Sequence, residues 1–349
     1  MSVFDTNGGE KQPCFSADSQ CVISGSGGSG ESSRRPTSSS GLLPPTASVS
    51  VCESALVVDN RSAWLMRAEA FLDLTKPRIA ALVLIVVAVS AWAARWGAPD
   101  IAALLHGLIG SALVAASSGA VNQWLERHRD ARMKRTRGRP LPSGRLTEAE
   151  VLWFAAVTLL AGLVYLAFLT NLLTAALGLA TWVLYAAAYT PLKVRTPLNT
   201  HVGAVAGAMP VWMGWAAVGG EWDVRAVALF LILFLWQFPH FMAIAWLYRE
   251  EYARAGMKML TVVDPTGRRA GVLAVATALT LTPVSVAPAI FSPGATVYAF
   301  GAIVLGVFQL AAAVTFATTR DELSARRLLH ASLVYLPALL GLLLLTPLT

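Results

Sequence analysis

From Thr75 onward the chain is a succession of apolar stretches, each close to the roughly 20 residues an α-helix needs to cross hydrocarbon. No other feature restricts the fold as much. In lipid a backbone must satisfy its own N–H and C=O groups, so such stretches form helices that pack on one another. They fall near residues 78–96, 101–121, 151–170, 172–189, 201–218, 225–247, 270–291, 296–317 and 329–347. The expected fold is all-α, a polytopic membrane bundle of nine transmembrane helices. Pro210, Pro239, Pro283, Pro288 and Pro337 lie within spans, where kinks are expected.

The loops check that count. With the N-terminus inside, the inward loops 122–149, 190–199, 248–269 and 318–328 hold 8, 2, 5 and 3 Lys/Arg, and the outward loops 97–100, 171, 219–224 and 292–295 hold none. Retention of basic loops in the cytoplasm produces this asymmetry. It puts the N-terminus and basic loops on the cytoplasmic side of a cell membrane and the C-terminus outside. Only 13% of residues are charged, against about 25% in ordinary globular domains. The net charge of +7 raises the question of nucleic acid. Because the bases sit between apolar spans, anionic headgroups of the lipid bilayer account for them better, and no nucleic-acid partner is expected.

Residues 1–70 read as a disordered cytoplasmic tail ahead of a membrane domain at 71–349. Runs such as SGSGGSGESSRRPTSSSG cannot bury enough apolar surface to offset their ordering entropy. The tail has no continuous apolar segment of a secretory signal, and acids outnumber bases, unlike a mitochondrial transit peptide. Cys14, Cys21 and Cys52 all lie in it, so no cysteine supports the membrane region.

The chemistry is concentrated in NQWLERHRDARMKRTRGRPLPSGR, residues 122–145. Asn122, Glu126 and Asp130 recur at i, i+4 and i+8, which puts them on one face if the preceding helix continues. Two carboxylates backed by an amide suit a hard cation such as Mg2+. Arg132, Lys134, Arg135, Arg137 and Arg139 follow at once, and bases beside a metal face suit a bound diphosphate. The alternative is plain pairing of Glu126 and Asp130 with neighbouring arginines on a solvated face.

A second polar group closes the sixth span, in LWQFPHFMAIAWLYREEYARAGMKML. Gln237 and His240 flank Pro239, and His240 lies roughly 12 Å deep at 1.5 Å per residue. A polar side chain there needs a partner or a cavity; an interhelical hydrogen bond would also serve. Glu250 and Glu251 follow at the membrane face that carries Glu126 and Asp130, and Lys193 and Arg195 in YTPLKVRTPLNT add positive charge at that level. Two acidic sites beside bases could hold two cations bridging a diphosphate; a solvated helix end is the alternative for the glutamates.

NQWLERHRDARMKRTRGRPLPSGRL, YTPLKVRTPLNTHVGAVAGAMP and WQFPHF followed by EEYARAGMKML resemble the protoheme IX farnesyltransferases (heme O synthases) of the UbiA-type superfamily of intramembrane prenyltransferases. The resemblance covers about residues 70–349. It implies nine helices around a central cavity, and transfer of farnesyl from farnesyl diphosphate to a vinyl group of heme b with addition of water. The products would be heme O and diphosphate. Mg2+ is the implied cofactor, held by Glu126, Asp130 and Glu251, with Asn122 in the same catalytic set. Arg135 and Arg139 match an RT..RP portion suited to phosphate contact, joined by Lys193 and Arg195. His240 stands in the family's PH element and is the implied heme contact. A heme A synthase is a candidate downstream partner. Two positions depart from the pattern: His128 replaces a frequent Asp, and Glu251 precedes Tyr252 where Asp is usual. Trp124, Trp182, Tyr185, Trp212 and Trp236 are aromatic candidates for facing the farnesyl cation or the porphyrin. The rival readings are a prenyltransferase for an aromatic or quinone precursor, and a transporter. Against transport, the spans carry almost no charge and the acids crowd one face.

Overall fold

The structure, a computed structural model, describes residues 60–95, 98–290 and 295–345, with side chains from Trp64 onward. The expected tail up to residue 59, with Cys14, Cys21 and Cys52, lies outside the described residues. Among the described residues there are helices and turns and no strand.

Residues 60–70, read with the tail from sequence, belong to helix α1, Asn60–Leu74. Its Ala70 and Leu74, one turn apart, are buried with Ala120, Leu146, Val151 and Ala155. A few apolar contacts therefore order a stretch too polar to be read as a span. A turn then leads into α2, Pro77–Ala94. Lys76 occupies that turn with φ of 52°, a left-handed conformation that costs a residue with a Cβ on the order of 1 kcal/mol.

Helix α3, Ile101–Asp130, is the longest at 30 residues. It outruns the expected span and carries Asn122, Glu126 and Asp130 as one unbroken helix. Asp100 caps its start, accepting hydrogen bonds from the N–H groups of Ala102 and Ala103. Turns over 131–147 lead to α4, Glu148–Leu169, which opens with a capping box between Thr147 and Glu150. The boundary with α5, Leu172–Trp182, falls at Thr170 and Asn171, where the apolar run is briefly interrupted. Asn171 caps α5 and donates from Nδ2 to the Ala216 carbonyl at 2.7 Å.

Helix α5 passes into a π turn, Val183–Tyr189, and a last short piece, α6, Thr190–Leu192. Pro191 has no N–H to offer this region, which loosens the α-helical ladder. Helix α7, Asn199–Ala217, is followed by α8, Val224–Leu247, and by the short α9, Arg249–Arg254, and α10, Leu260–Val263. Helices α11, Arg268–Ile290, α12, Thr296–Thr319, and α13, Glu322–Leu345, complete the described chain. The expected prolines lie inside α7, α8, α11 and α13, and none ends its helix.

Each of the nine expected spans thus has a helix among the described residues. Eight of these segments are long and apolar enough to cross a membrane by length and composition. The ninth, α7, has 19 residues, of which 14 are buried. It is made of small and aromatic residues, and its membrane character comes from packing in the middle of the bundle. Gly214 shows how tightly: a Cβ there would lie 2.2 Å from the Val87 carbonyl oxygen of α2. The main core gathers Trp215, Tyr298, Tyr335, Ile232 and Leu336 between α2, α7, α8, α12 and α13. Gly119 plays a similar part in α3, where a Cβ would meet the Leu74 carbonyl at 2.7 Å.

Candidate functional site

Glu126 and Asp130 lie on one face at the end of α3, and each is already engaged. Glu126 is 4% exposed, and its Oε1 accepts a hydrogen bond from Lys193 Nζ at 2.7 Å. Asp130 is fully buried; its Oδ2 accepts from Arg139 Nη1 at 2.7 Å, while Oδ1 has no hydrogen-bond partner. Thr136 ties the turn after α3 by donating to the Asp130 carbonyl at 3.0 Å, which brings Arg139 back onto the helix end. Asn122, also fully buried, donates from Nδ2 to Thr190 Oγ1 at 2.9 Å and accepts at Oδ1 from Lys76 Nζ. The predicted i, i+4, i+8 face therefore exists, and three cations line it.

Lys76 was not legible from sequence. It reaches the cluster because the left-handed turn before Pro77 sends its side chain toward α3. Burial, and then the charge of Arg139, pull its ammonium down to about 7, with Lys193 acting in the same sense and Glu126 and Asp130 opposing. Lys193 is held above the ordinary ammonium range: burial alone would lower it, and the carboxylate of Glu126 overcomes that. The π turn supplies two rings. Tyr185 and Tyr189 lie 5.5 Å apart, with the Lys193 ammonium 4.6 Å from the Tyr189 ring centre and Lys76 5.8 Å from that of Tyr185. Thr190 Oγ1 donates to the Tyr185 carbonyl at 2.9 Å, so Asn122, Thr190 and the π turn form one linked chain.

The second acidic segment joins the same end. The Lys258 N–H donates to the Lys193 carbonyl at 2.6 Å, and Asn199 Nδ2 donates to the Lys258 carbonyl at 3.1 Å. Met133, just past α3, is buried with Tyr252, Ala255, Met257 and Met259. Tyr252 lies within electrostatic reach of Arg135, Lys193 and Glu126. Its neighbour Glu251 has a buried Oε2 without a hydrogen-bond partner. Glu250 points out, its side chain 81% exposed.

Several predicted residues stand apart. Arg135 is exposed and stacks its guanidinium over Tyr248, 5.1 Å from the ring centre. Arg195, two residues after Lys193 in the same turn, is exposed. His128 is exposed as well. His240 shares no partner with the acids. Its Nδ1 is 2.9 Å from Ser332 Oγ, and its ring stacks on Trp236 with centres 5.2 Å apart. The Ser332 hydroxyl donates its one proton to the Leu329 carbonyl at 2.6 Å. The serine must then accept from His240, so Nδ1 carries the ring proton and Nε2 keeps its lone pair. The interhelical bond expected as the plain alternative is thus present, and it leaves Nε2 uncommitted.

Among the described residues no three His, Cys, Asp or Glu side chains are close enough to hold a metal by themselves. The donor set still fits Mg2+, which usually takes one or two carboxylates and completes its shell with water and substrate phosphate. The buried Asp130 Oδ1 and Glu251 Oε2, each without a hydrogen bond, are oxygens of the required kind. A bare buried carboxylate oxygen is costly unless a cation or donor meets it.

The chain is similar to known proteins in sequence and in fold. A family model described as the UbiA prenyltransferase family matches residues 83–336. The protoheme IX farnesyltransferase of Solibacter usitatus is 44% identical over 284 residues, 79% of this chain and 97% of that protein. Among solved structures, a digeranylgeranylglyceryl phosphate synthase superposes with a TM-score of 0.67 at 17% identity, covering 81% of this chain and 99% of that one. A UbiA homolog from Archaeoglobus fulgidus bound to DMAPP and Mg2+ gives a TM-score of 0.55 at 16% identity, covering 78% and 98%. At such identities the solved structures share the fold with this chain.

Proposed function

Because the chain belongs to the UbiA prenyltransferase family, and within it to the protoheme IX farnesyltransferases, we propose that it moves farnesyl from farnesyl diphosphate to a vinyl group of heme b. Water adds to the same group, and the products are heme O and diphosphate. The observation that carries this reading is the buried face of Asn122, Glu126 and Asp130, met by Lys76, Lys193 and Arg139 at one end of an apolar bundle.

Breaking the allylic C–O bond leaves negative charge on diphosphate. Lys76, Lys193 and Arg139 are the donors placed to receive it, and fixed cations in a dry site stabilise such charge without reorganising. Glu126 and Asp130 would hold one Mg2+ and Glu251, from the adjoining segment, a second, each completed by water and substrate phosphate; when bound, they would neutralise diphosphate oxygens and help the leaving group depart. A UbiA homolog of the same fold binds Mg2+ together with a prenyl diphosphate. Asn122 positions Lys76 and the π turn. Tyr185 and Tyr189 offer ring faces to the allylic cation, and the apolar helices keep bulk water from it.

His240 is assigned to heme b. Its protonated Nδ1 is held by Ser332, so Nε2 is presented as an imidazole ligand suited to iron. Arg135 and Arg195 take an outer role at the mouth, drawing diphosphate in by charge. The basic end faces the cytoplasm, and heme O would pass to a terminal oxidase or to a heme A synthase.

The test is mass spectrometry of hemes from cells with and without the protein, followed by purified protein supplied with farnesyl diphosphate, heme b and Mg2+. Heme O that depends on the protein and disappears on chelation is the expected result. A prenylated benzoate in its place would give the reaction to the aromatic-acceptor rival. Substrate flux without diphosphate release would assign the chain to transport.

A further inference from the structure

Helix α1 presents two apolar surfaces, one packed on its neighbours and a second that, among the described residues, only Phe71 attaches to the rest, through Phe154 at 5.5 Å. Ala70 and Leu74 pack against α3 and α4. Trp64, Ala68, Phe71 and Leu72 recur at i, i+4, i+7 and i+8, with Leu65 beside Leu72 on the same arc. Trp64 is 69% exposed, Leu65 60% and Leu72 60%. Glu69 borders this arc beside Leu65, one turn away, and Asp73 lies further round, where it accepts a hydrogen bond from Arg145 at 2.9 Å.

The position of this stripe is fixed by polar ties. Gln123 Nε2 donates to the carbonyls of Asp73 and Leu74, so α1 ends about 10 Å short of the end of α3 at 1.5 Å per residue. Arg67 bonds Glu150 in the first turn of α4. The helix therefore climbs from inside the apolar slab to the level where α4 begins. Between α1 and α4 lies an open groove of about 440 Å3, lined by Phe71, Ala149, Glu150, Trp153, Phe154 and Val157. On α4 it continues into the face that meets hydrocarbon, where Trp153 is 72% exposed, Val157 58% and Leu160 66%.

We infer that the α1 stripe and this groove are a phospholipid site. An acyl chain of the surrounding bilayer lies along Leu72, Phe71, Phe154, Trp153 and Val157, and Trp64 and Leu65 sit nearer the headgroup boundary. The continuity with the lipid face of α4 identifies the occupant, and tryptophan suits that depth. Contiguous exposed apolar surface of this kind marks an interaction site. The inference holds whatever molecule accepts the prenyl group.

The test uses the full chain with Cys14, Cys21 and Cys52 replaced by Ser. An environment-sensitive NBD fluorophore is placed at Leu65→Cys, at Leu72→Cys or, as control, at Asp73→Cys. Each protein is reconstituted in phosphatidylcholine nanodiscs, with or without chains brominated near the headgroup. Blue-shifted emission and quenching by brominated lipid at 65 and 72, with aqueous emission quenched by iodide at 73, is the expected result. Water-like emission at both 65 and 72 overturns the inference, and so does lipid quenching that is equal at all three positions. Two stripe positions guard against one labelled variant failing to fold.

Discussion

Lys193→Met removes the cation from the best-defined ion pair in the site. The pair is close, 2.7 Å, and its side chains are only 14% and 6% exposed. At an effective dielectric near 20 that separation corresponds to roughly 6 kcal/mol of attraction. Desolvation of both ions offsets much of this, yet losing one partner strands the other, which typically costs about 3–5 kcal/mol. Lys76 lies near enough to Glu126 to relieve some of the stranded charge, so the lower end, about 3 kcal/mol, is expected. At roughly 2 °C per kcal/mol for a chain of this size, the unfolding midpoint should fall by about 6 °C. Adding Glu126→Gln removes the stranded charge and should restore most of that stability. Activity should stay lost, since the double variant lacks both a diphosphate donor and a metal ligand. Thermal unfolding in detergent, scored as a double-mutant cycle beside heme O production, tests both statements. A double variant no more stable than Lys193→Met would refute the pairing argument, and full activity in either variant would refute the role of the cluster.

Three further outcomes follow from the same geometry. Asp130→Asn keeps the shape and loses the charge, so turnover should drop about 100-fold or more while the helical circular dichroism is retained; undiminished heme O production would contradict the metal role. Gly214→Ala puts a methyl against the Val87 carbonyl, where α2 and α7 must separate, at a cost of about 1–3 kcal/mol; an unchanged unfolding midpoint would count against that contact. His240→Ala should remove the heme b Soret shift with farnesyl diphosphate affinity intact, whereas Ser332→Ala should keep the shift and weaken heme binding. Equal Soret shifts in wild type and His240→Ala would rule out the iron contact.

Spans and the acidic face were legible because both follow from periodicity. Twenty apolar residues announce a helix in lipid, and 122, 126 and 130 must share a side if that helix continues. Contacts made through a turn were not. Lys76 is a lone base before Pro77, with no charged run to mark it, and its approach to Asn122 depends on a left-handed backbone. In the sequence Tyr185 is one of several aromatics, and its place follows from a π turn with no strong composition signal. Lys193 and Arg195 looked equivalent on a basic loop, yet two residues along a helical turn face nearly opposite ways, so one enters the cluster and the other meets water. Residues 60–70 read as tail because their order depends on Ala70 and Leu74 finding α3 and α4, far along the chain. Helix α7 is the reverse case: mediocre as an apolar run, it is secured by the neighbours that bury it.

The π turn at Val183–Tyr189 has a consequence for how this chain can vary. A wide turn holds one residue beyond what an α-helix would use for the same rise. Because the surplus residue is taken up inside the turn, Thr190 and Lys193 keep the phase of a regular helix. Removing one of residues 186–188 would let the ladder close as an α-helix while Thr190 stays beside Asn122 and Lys193 beside Glu126. The pair of rings at Tyr185 and Tyr189 would lose its spacing instead, so shortening the chain here by one should disturb the aromatic wall and spare the ion pairs.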